Sequence, residues 1–202
     1  FYNETDGHGI WPTPTVGGLG LLADLDRMAT IAYPSGGLVL LLIGETFGWL
    51  GSSLYLREVC GREEGAPPSV DLATERRHGD LVRSLCAHGL IETCHDLSDG
   101  GLYAALAEMV LASGIGADLT LPEGCDSAAA WLFGEDQSRY LIAVAPDRMD
   151  EVHAQAARAG VLLRRVGTTG GVALTLDGVN AISLEELAEI HSGWLPSLMG
   201  AS

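Results

Sequence analysis

Cys94-His95-Asp96-Leu97-Ser98-Asp99-Gly100-Gly101-Leu102 is where a short apolar run, Leu90 to Cys94, gives way to a helical pattern. Leu102, Ala105, Leu106, Met109 and Val110 recur at helical spacing directly after it, so the spacing predicts a strand, a polar loop and an amphipathic helix. Ser98 or Asp99 is placed to cap that helix, whose free N–H groups then face the strand end. Asp and Ser before a helix commonly serve as plain caps. The same arrangement also suits phosphate at the helix start and a hard cation beside the carboxylates. Chemistry alone leaves both readings open.

Upstream, Leu38 to Ile43 is continuously apolar, the pattern of a strand buried on both faces. Gly44-Glu45-Thr46 ends it, and Gly48-Trp49-Leu50-Gly51-Ser52-Ser53 reads either as a flexible turn or as backbone that lets an anion approach closely. A polar linker, Arg62 to Pro68, precedes a helix expected to be capped by Ser69. Its apolar positions are Val82, Leu85 and Cys86, and Gly89 is its stop. His78 and His88 are expected at the surface of that helix, and His95 is expected to orient the strand-end loop. Further back, Val16 to Leu22 reads as a glycine-interrupted strand and Ala23 to Ile31 as a short helix or turn. Residues 1–16 read as a loop in which Tyr2 to Thr5 could contact a ligand.

Downstream, Gly114 and Gly116 break the helix, and Ala117, Leu119 and Leu121 alternate as a strand. Ser127 opens a short helix to Leu132. Phe133-Gly134-Glu135-Asp136-Gln137-Ser138-Arg139 then leads into the strand Tyr140–Ala145. Gln137, Ser138 and Arg139 could hold a phosphate or ribose; the alternative is a surface turn with a Glu135–Arg139 ion pair. A helix over Asp147–Ala159, strands over Val161–Val166 and Val172–Leu176, and an Asp177-Gly178 hairpin into Val179–Ile182 complete the pattern. Ser183 and Glu186 have capping-box spacing for a last helix to about His191. Alternating strands and helices with one hairpin imply an α/β or α+β fold, helices packed on a mixed sheet.

The 202 residues suffice for one large domain or one domain with an attachment, and 47% apolar content argues against a disordered chain. No apolar run reaches membrane-spanning length. A net charge of −16 with no lysine and eleven arginines builds no basic groove for a nucleic-acid backbone. Cys60, Cys86, Cys94 and Cys125 show no CxxC pair or zinc spacing. With no secretory signal, a reduced cytoplasmic protein is expected, with Cys86 and Cys94 as small core residues. The chain opens at Phe1 inside a motif-like stretch, which suggests part of a longer polypeptide.

His95 to Leu102, with the Ala- and Leu-rich helix after it, resembles the C-terminal domain of a synthetase superfamily. That superfamily holds aminoimidazole ribonucleotide synthetase, selenophosphate synthetase, thiamine-phosphate kinase and the synthetase component of phosphoribosylformylglycinamidine synthase. Phe1 to Thr5, Pro12-Thr13-Pro14, Gly44-Glu45-Thr46, Leu54-Tyr55-Leu56, Phe133 to Tyr140 and Gly193-Trp194-Leu195-Pro196 resemble the last of these, so the resemblance covers essentially the whole chain. Trp49 to Ser53 departs from the Glu-Leu-Gly-Gly-Ser commoner among relatives.

The resemblance implies a tail of a preceding domain over 1–33 and a C-terminal synthetase domain over 34–202. It implies an ATP- and Mg²⁺-dependent ligase of purine biosynthesis that makes formylglycinamidine ribonucleotide from formylglycinamide ribonucleotide and glutamine-derived ammonia. Asp96 would be the metal ligand, with Asp99 assisting or capping. Ser98, Gly100, Gly101, Glu135, Asp136, Gln137 and Arg139 would contact nucleotide or substrate. The catalytic histidines lie in the other half of the family's polypeptide, so this part alone is expected to be inert. Expected partners are the remaining domains, a glutaminase subunit and a small accessory subunit, without nucleic acid or membrane. The apolar run Val16–Leu22 is expected to pack back on its own domain or pair with a second copy of the chain. A non-catalytic nucleotide-holding half, or a relative like thiamine-phosphate kinase or selenophosphate synthetase, stands as the alternative.

Overall fold

The computed structural model describes residues 4–9, 15–22 and 24–200. The motif residues 1–3 and 12–14 lie outside this set. The central strand is β3 (Val39–Ile43; β1 and β2 belong to the tail, below), buried along its whole length. Leu40 and Leu42 point into one core and Val39, Leu41 and Ile43 into another, so both faces of the sheet are covered. That two-sided burial is why the run is continuously apolar, each side chain contributing about 1.5–3 kcal/mol.

Six further strands complete the sheet: β4 (Thr93–Asp96), β5 (Ala117–Leu119), β6 (Tyr140–Val144), β7 (Leu163–Thr169), β8 (Ala173–Leu176) and β9 (Asn180–Ser183). Their order is β4-β6-β3-β7-β5-β8-β9, with β5 and β8 parallel and the other pairs antiparallel. Helices α1 (Leu72–Ala87) and α4 (Met149–Ala159) cover one face. The other carries α2 (Gly101–Ser113), α3 (Ala128–Phe133) and α5 (Leu184–Leu198). The expected α/β architecture, a mixed sheet with helices on it, is the one observed.

Local chemistry explains most boundaries. α2 buries Leu102, Ala105, Leu106, Met109 and Val110, the expected stripe, and stops at Gly114 in the left-handed region. Ser127 caps α3 through the Ala130 N–H, and Ser183 caps α5 through the Glu186 N–H. Asp177 and Gly178 both take positive φ, the conformation of a two-residue hairpin.

Several expectations need correction. The cap of α1 is Asp71, whose carboxylate accepts from the Ala73 and Thr74 N–H groups, and not Ser69. α5 continues past His191 to Leu198, with Pro196 in its last turn. His78 is not on the surface: it is 6% exposed, wedged between α1 and the loop before β6. His88 is exposed, its Nδ1 against the Ser84 carbonyl.

The tail also differs. Its described strands are β1 (Glu4–Thr5) and β2 (His8–Gly9), a minimal hairpin turned by Asp6 and Gly7 where a loop was expected. Val16–Leu22 is not a strand, and Val16, Leu19 and Leu21 stand exposed instead of packing back. Glycines at 17, 18 and 20 weaken any strand there. A short 3₁₀ turn, Leu25–Arg27, follows. Further along, this N-terminal segment joins the sheet. Thr30 exchanges backbone hydrogen bonds with Glu92 and Cys94 at the sheet edge, and Tyr33 is buried with its hydroxyl 2.6 Å from the Ile115 carbonyl.

Cys86 and Cys94 are half-buried against the core, as expected. Burial pushes the Cys94 thiol up to about 12, so it remains a neutral thiol at physiological pH.

Candidate functional site

One end of the sheet gathers the polar motifs. Asp96 at the end of β4 and Ile43 at the end of β3 both pair with Tyr140 at the start of β6. The loops beyond those three positions, residues 44–54, 97–100 and 134–139, therefore converge.

Glu135 ties them together. Its Oε1 accepts from the Gly100 N–H and from the Leu54 N–H, both at 2.8 Å, so one carboxylate oxygen holds the starts of two helices. Leu54 is the N-cap of a π-helical turn, Tyr55–Val59, which the sequence reading missed. Neither Ser98 nor Asp99 caps α2 with its side chain. The N-cap is Gly100, left-handed at φ 77°, and the Gly101 N–H is bonded to the Ser98 carbonyl. The glycines are required by close packing: a Cβ on Gly100 would lie 2.6 Å from the Ala104 Cβ, and one on Gly101 2.5 Å from the Gly134 carbonyl oxygen.

These elements wall an inner cleft of about 360 Å³, lined by Ser52, Ser53, Arg57, Arg62, Asp99 and Glu135 among others. Ser53 is buried with its hydroxyl accepting from the Leu56 N–H, and Ser52 donates to the Gly65 carbonyl. Arg57 and Arg62 are the cations lining the cleft, each paired with an acidic neighbour, Glu58 and Glu64, and they face Glu63, Asp99 and Glu135 on the same walls.

Replacing Glu135 tests this junction. Charge-assisted hydrogen bonds contribute about 1.5–3 kcal/mol each when buried, less at partial exposure. Glu135→Ala should lower stability by about 2 kcal/mol in urea titration, and Glu135→Gln by about half that, since the amide oxygen still accepts. An unchanged urea midpoint for Glu135→Ala would show that the two helix starts do not depend on it.

The remaining expected residues divide. Asp99 lines the inner cleft and Ser98 is exposed beside it. Asp96 is exposed and does not line that cleft; its carboxylate is 3.5 Å from His95 Nδ1, and His95 Nε2 is 2.7 Å from Glu108. His95 thus links the end of β4 to α2 through Glu108, while its Nδ1 makes no hydrogen bond. Asp136 and Arg139 turn inward. Asp136 accepts from the Gly48 and Trp49 N–H groups, while Arg139 donates to the Gly134 and Asp136 carbonyls and to the Thr46 hydroxyl. The ion pair is Arg139–Asp136 at 3.9 Å, in place of the expected Glu135–Arg139 pair. With every face of the guanidinium enclosed, Arg139 shapes the loop from within and cannot also clasp a ligand. Burial pulls its pKa down, against the opposing pull of Asp136 and Glu135. Gln137 is exposed on a second, outer cleft, lined also by His78, Arg77, Phe47 and Trp49.

No three His, Cys, Asp or Glu side chains gather as a metal-binding group among the described residues. Mg²⁺ carried on phosphates needs only one or two protein carboxylates, and Asp99 on the wall of the inner cleft fits that need.

Residues 35–176 match the family described as AIR synthase related protein, C-terminal domain. The chain belongs to this family. As a member of the AIR-synthase-related family it is 54% identical, over 201 residues, to phosphoribosylformylglycinamidine synthase subunit PurL of Methylocella silvestris. That match covers 100% of this chain and 27% of the relative, so the chain spans about a quarter of the length of that protein. Among solved structures, T. maritima PurL complexed with FGAR superposes with TM-score 0.67 at 19% identity, covering 81% of this chain and 30% of that one. T. maritima PurL complexed with ATP gives 0.64 at 18%, covering 81% and 28%. At such identities these superpositions establish the fold of this AIR-synthase-related domain and nothing finer.

Proposed function

We propose that this chain is the C-terminal part of a phosphoribosylformylglycinamidine synthase. Such a ligase consumes ATP, formylglycinamide ribonucleotide and glutamine-derived ammonia and makes formylglycinamidine ribonucleotide, ADP and phosphate in purine biosynthesis. The observation that carries the reading is the 54% identity to a PurL subunit along the whole chain. In this reading residues 1–33 are the tail of a preceding domain and 34–202 the synthetase C-terminal domain. The other domains, a glutaminase and a small accessory subunit are its partners, and a reducing cytoplasm suits its four free cysteines.

Phosphoryl transfer rests on positioning and charge neutralisation more than on covalent chemistry. The inner cleft supplies one wall of such a site. Arg57 and Arg62 offset phosphate charge there, Ser98, Gly100 and Gly101 shape the entry to α2, and Asp99 offers an oxygen ligand. Mg²⁺, brought with the nucleotide, would supply the neutralisation of phosphate charge. Asp96 serves as a further carboxylate only toward a ligand reaching over the sheet edge, since it stands outside the cleft. Gln137 contacts substrate from the outer cleft.

The test is phosphate release by the intact polypeptide supplied with ammonia, ATP and Mg²⁺. Release should depend on formylglycinamide ribonucleotide, and Asp99→Asn should lower it about tenfold at limiting Mg²⁺. Release independent of that substrate, or phosphorylation of thiamine monophosphate in its place, would overturn the proposal.

A further inference from the structure

The outer cleft, about 680 Å³ between α1 and the loops at residues 44–49 and 136–138, enters the ligase reading only through Gln137, and it holds a further recognition element, His78. His78 is 6% exposed, yet it lines this cleft. Its Nδ1 is 2.6 Å from the Ser138 carbonyl oxygen. A carbonyl only accepts, so Nδ1 carries the proton, and in the neutral imidazole Nε2 is left as an acceptor. Nε2 makes no hydrogen bond among the described residues, and unlike His95 Nδ1 it is not a buried orphan but open to a ligand or water. The backbone is shaped around this ring. Ser138 sits at φ 63°, a costly conformation for a non-glycine residue, and Gly44 at φ 93° has no room for a Cβ, which would lie 2.9 Å from Ser138 O and 3.2 Å from His78 Cε1.

Two aromatic rings stand at the same cleft. Phe47 is 79% exposed and Trp49 41%, the latter fixed by its indole N–H donating to the Ala66 carbonyl. Gln137, exposed on the facing loop, offers one acceptor and two donors. Asp136 is paired with the buried Arg139, which leaves Glu45 and Asp71 against the single cation Arg77, so the lining is weakly negative.

We infer that the outer cleft binds an uncharged aminopurine, as base or nucleoside, stacked on Phe47 and Trp49 with its exocyclic amine donating to His78 Nε2. Stacking surfaces suit any base, but the unpaired acceptor selects a ring carrying an N–H₂ group, and Gln137 completes the edge. The weakly negative lining repels phosphates and so favours the nucleoside. This inference shares only Gln137 with the ligase reading and concerns a ligand without phosphate, so the His78 and Phe47 variants test it independently of that reading.

Calorimetric titration of the 202-residue chain with adenosine tests it. Phe47→Ala removes an exposed ring and should weaken binding about tenfold. His78→Asn keeps an amide N–H where Nδ1 lies and so preserves the Ser138 bond, but it removes the Nε2 acceptor. It should weaken adenosine about fivefold with the melting temperature unchanged. Inosine, which presents an oxygen in place of the amine, should bind the unaltered chain about tenfold more weakly. Absence of saturable adenosine binding in the millimolar range would overturn the inference. So would binding indifferent to both substitutions, or inosine binding as tightly as adenosine.

Discussion

Gly101→Ala is expected to destabilise the domain by about 3–4 kcal/mol, whereas Gly114→Ala, at the other end of the same helix, costs about 1 kcal/mol. Both glycines have φ 64°, so the backbone strain of adding a Cβ is the same. The surroundings differ. At Gly114 no atom lies within 4 Å of the added carbon, but at Gly101 it meets the Gly134 oxygen at 2.5 Å, the Phe133 carbonyl carbon at 2.9 Å and the Leu132 oxygen at 3.0 Å. These are backbone atoms at the end of α3, which cannot rotate away as a side chain could. Urea titration of the two variants separates strain from overlap, and equal losses would mean that α3 yields at little cost. Gly101→Ala should also pull Gly100 away from Glu135 and open the inner cleft.

Arg139→Met is the second large effect, about 3–5 kcal/mol. Methionine fills much of the volume but leaves Asp136, 5% exposed, without its buried countercharge, and strips the Gly134 and Asp136 carbonyls and the Thr46 hydroxyl of a donor. Arg139→Lys keeps the charge but cannot reach three separate oxygens with a fork, so it should recover less than half of the loss. The pair Arg139→Met with Asp136→Asn should be less damaging than the sum of the two. Additivity in a double-mutant cycle would argue against the coupling.

The sequence was most legible where a single period decides the structure. Leu38 to Ile43 could only be a strand covered on both sides, and the stripe from Leu102 to Val110 could only face a core. Gly160 stops α4 and Asp177-Gly178 turns a hairpin because the left-handed backbone at these positions is read directly from residue type. Where a side chain has two partners to choose between, the chain order was silent. Ser98 and Asp99 looked like caps, yet the oxygen at the start of α2 comes from Glu135. Arg139 lay four residues from Glu135 and three from Asp136, and the tertiary fold chose the latter. His78 read as polar helix surface because nothing near it announced the carbonyl of Ser138, sixty residues on. Val16 to Leu22 was read by its apolar content, although its glycines and the lack of a neighbouring strand leave it unpaired among the described residues.

The placement of β3 has a bearing on how the chain is made. Its two neighbours in the sheet are β6 and β7, so Val39 waits for Val144 and Thr168. At ribosomal speed the first of them emerges about a hundred residues, or roughly 5–20 s, later. For that interval a five-residue, wholly aliphatic segment has left the ribosome with neither edge paired, and only the helices made meanwhile, α1 on one face and α2 and α3 on the other, can shelter it. Nascent chains stalled before Tyr140 should therefore be held by chaperones or lost to aggregates, and those stalled after Thr169 should not.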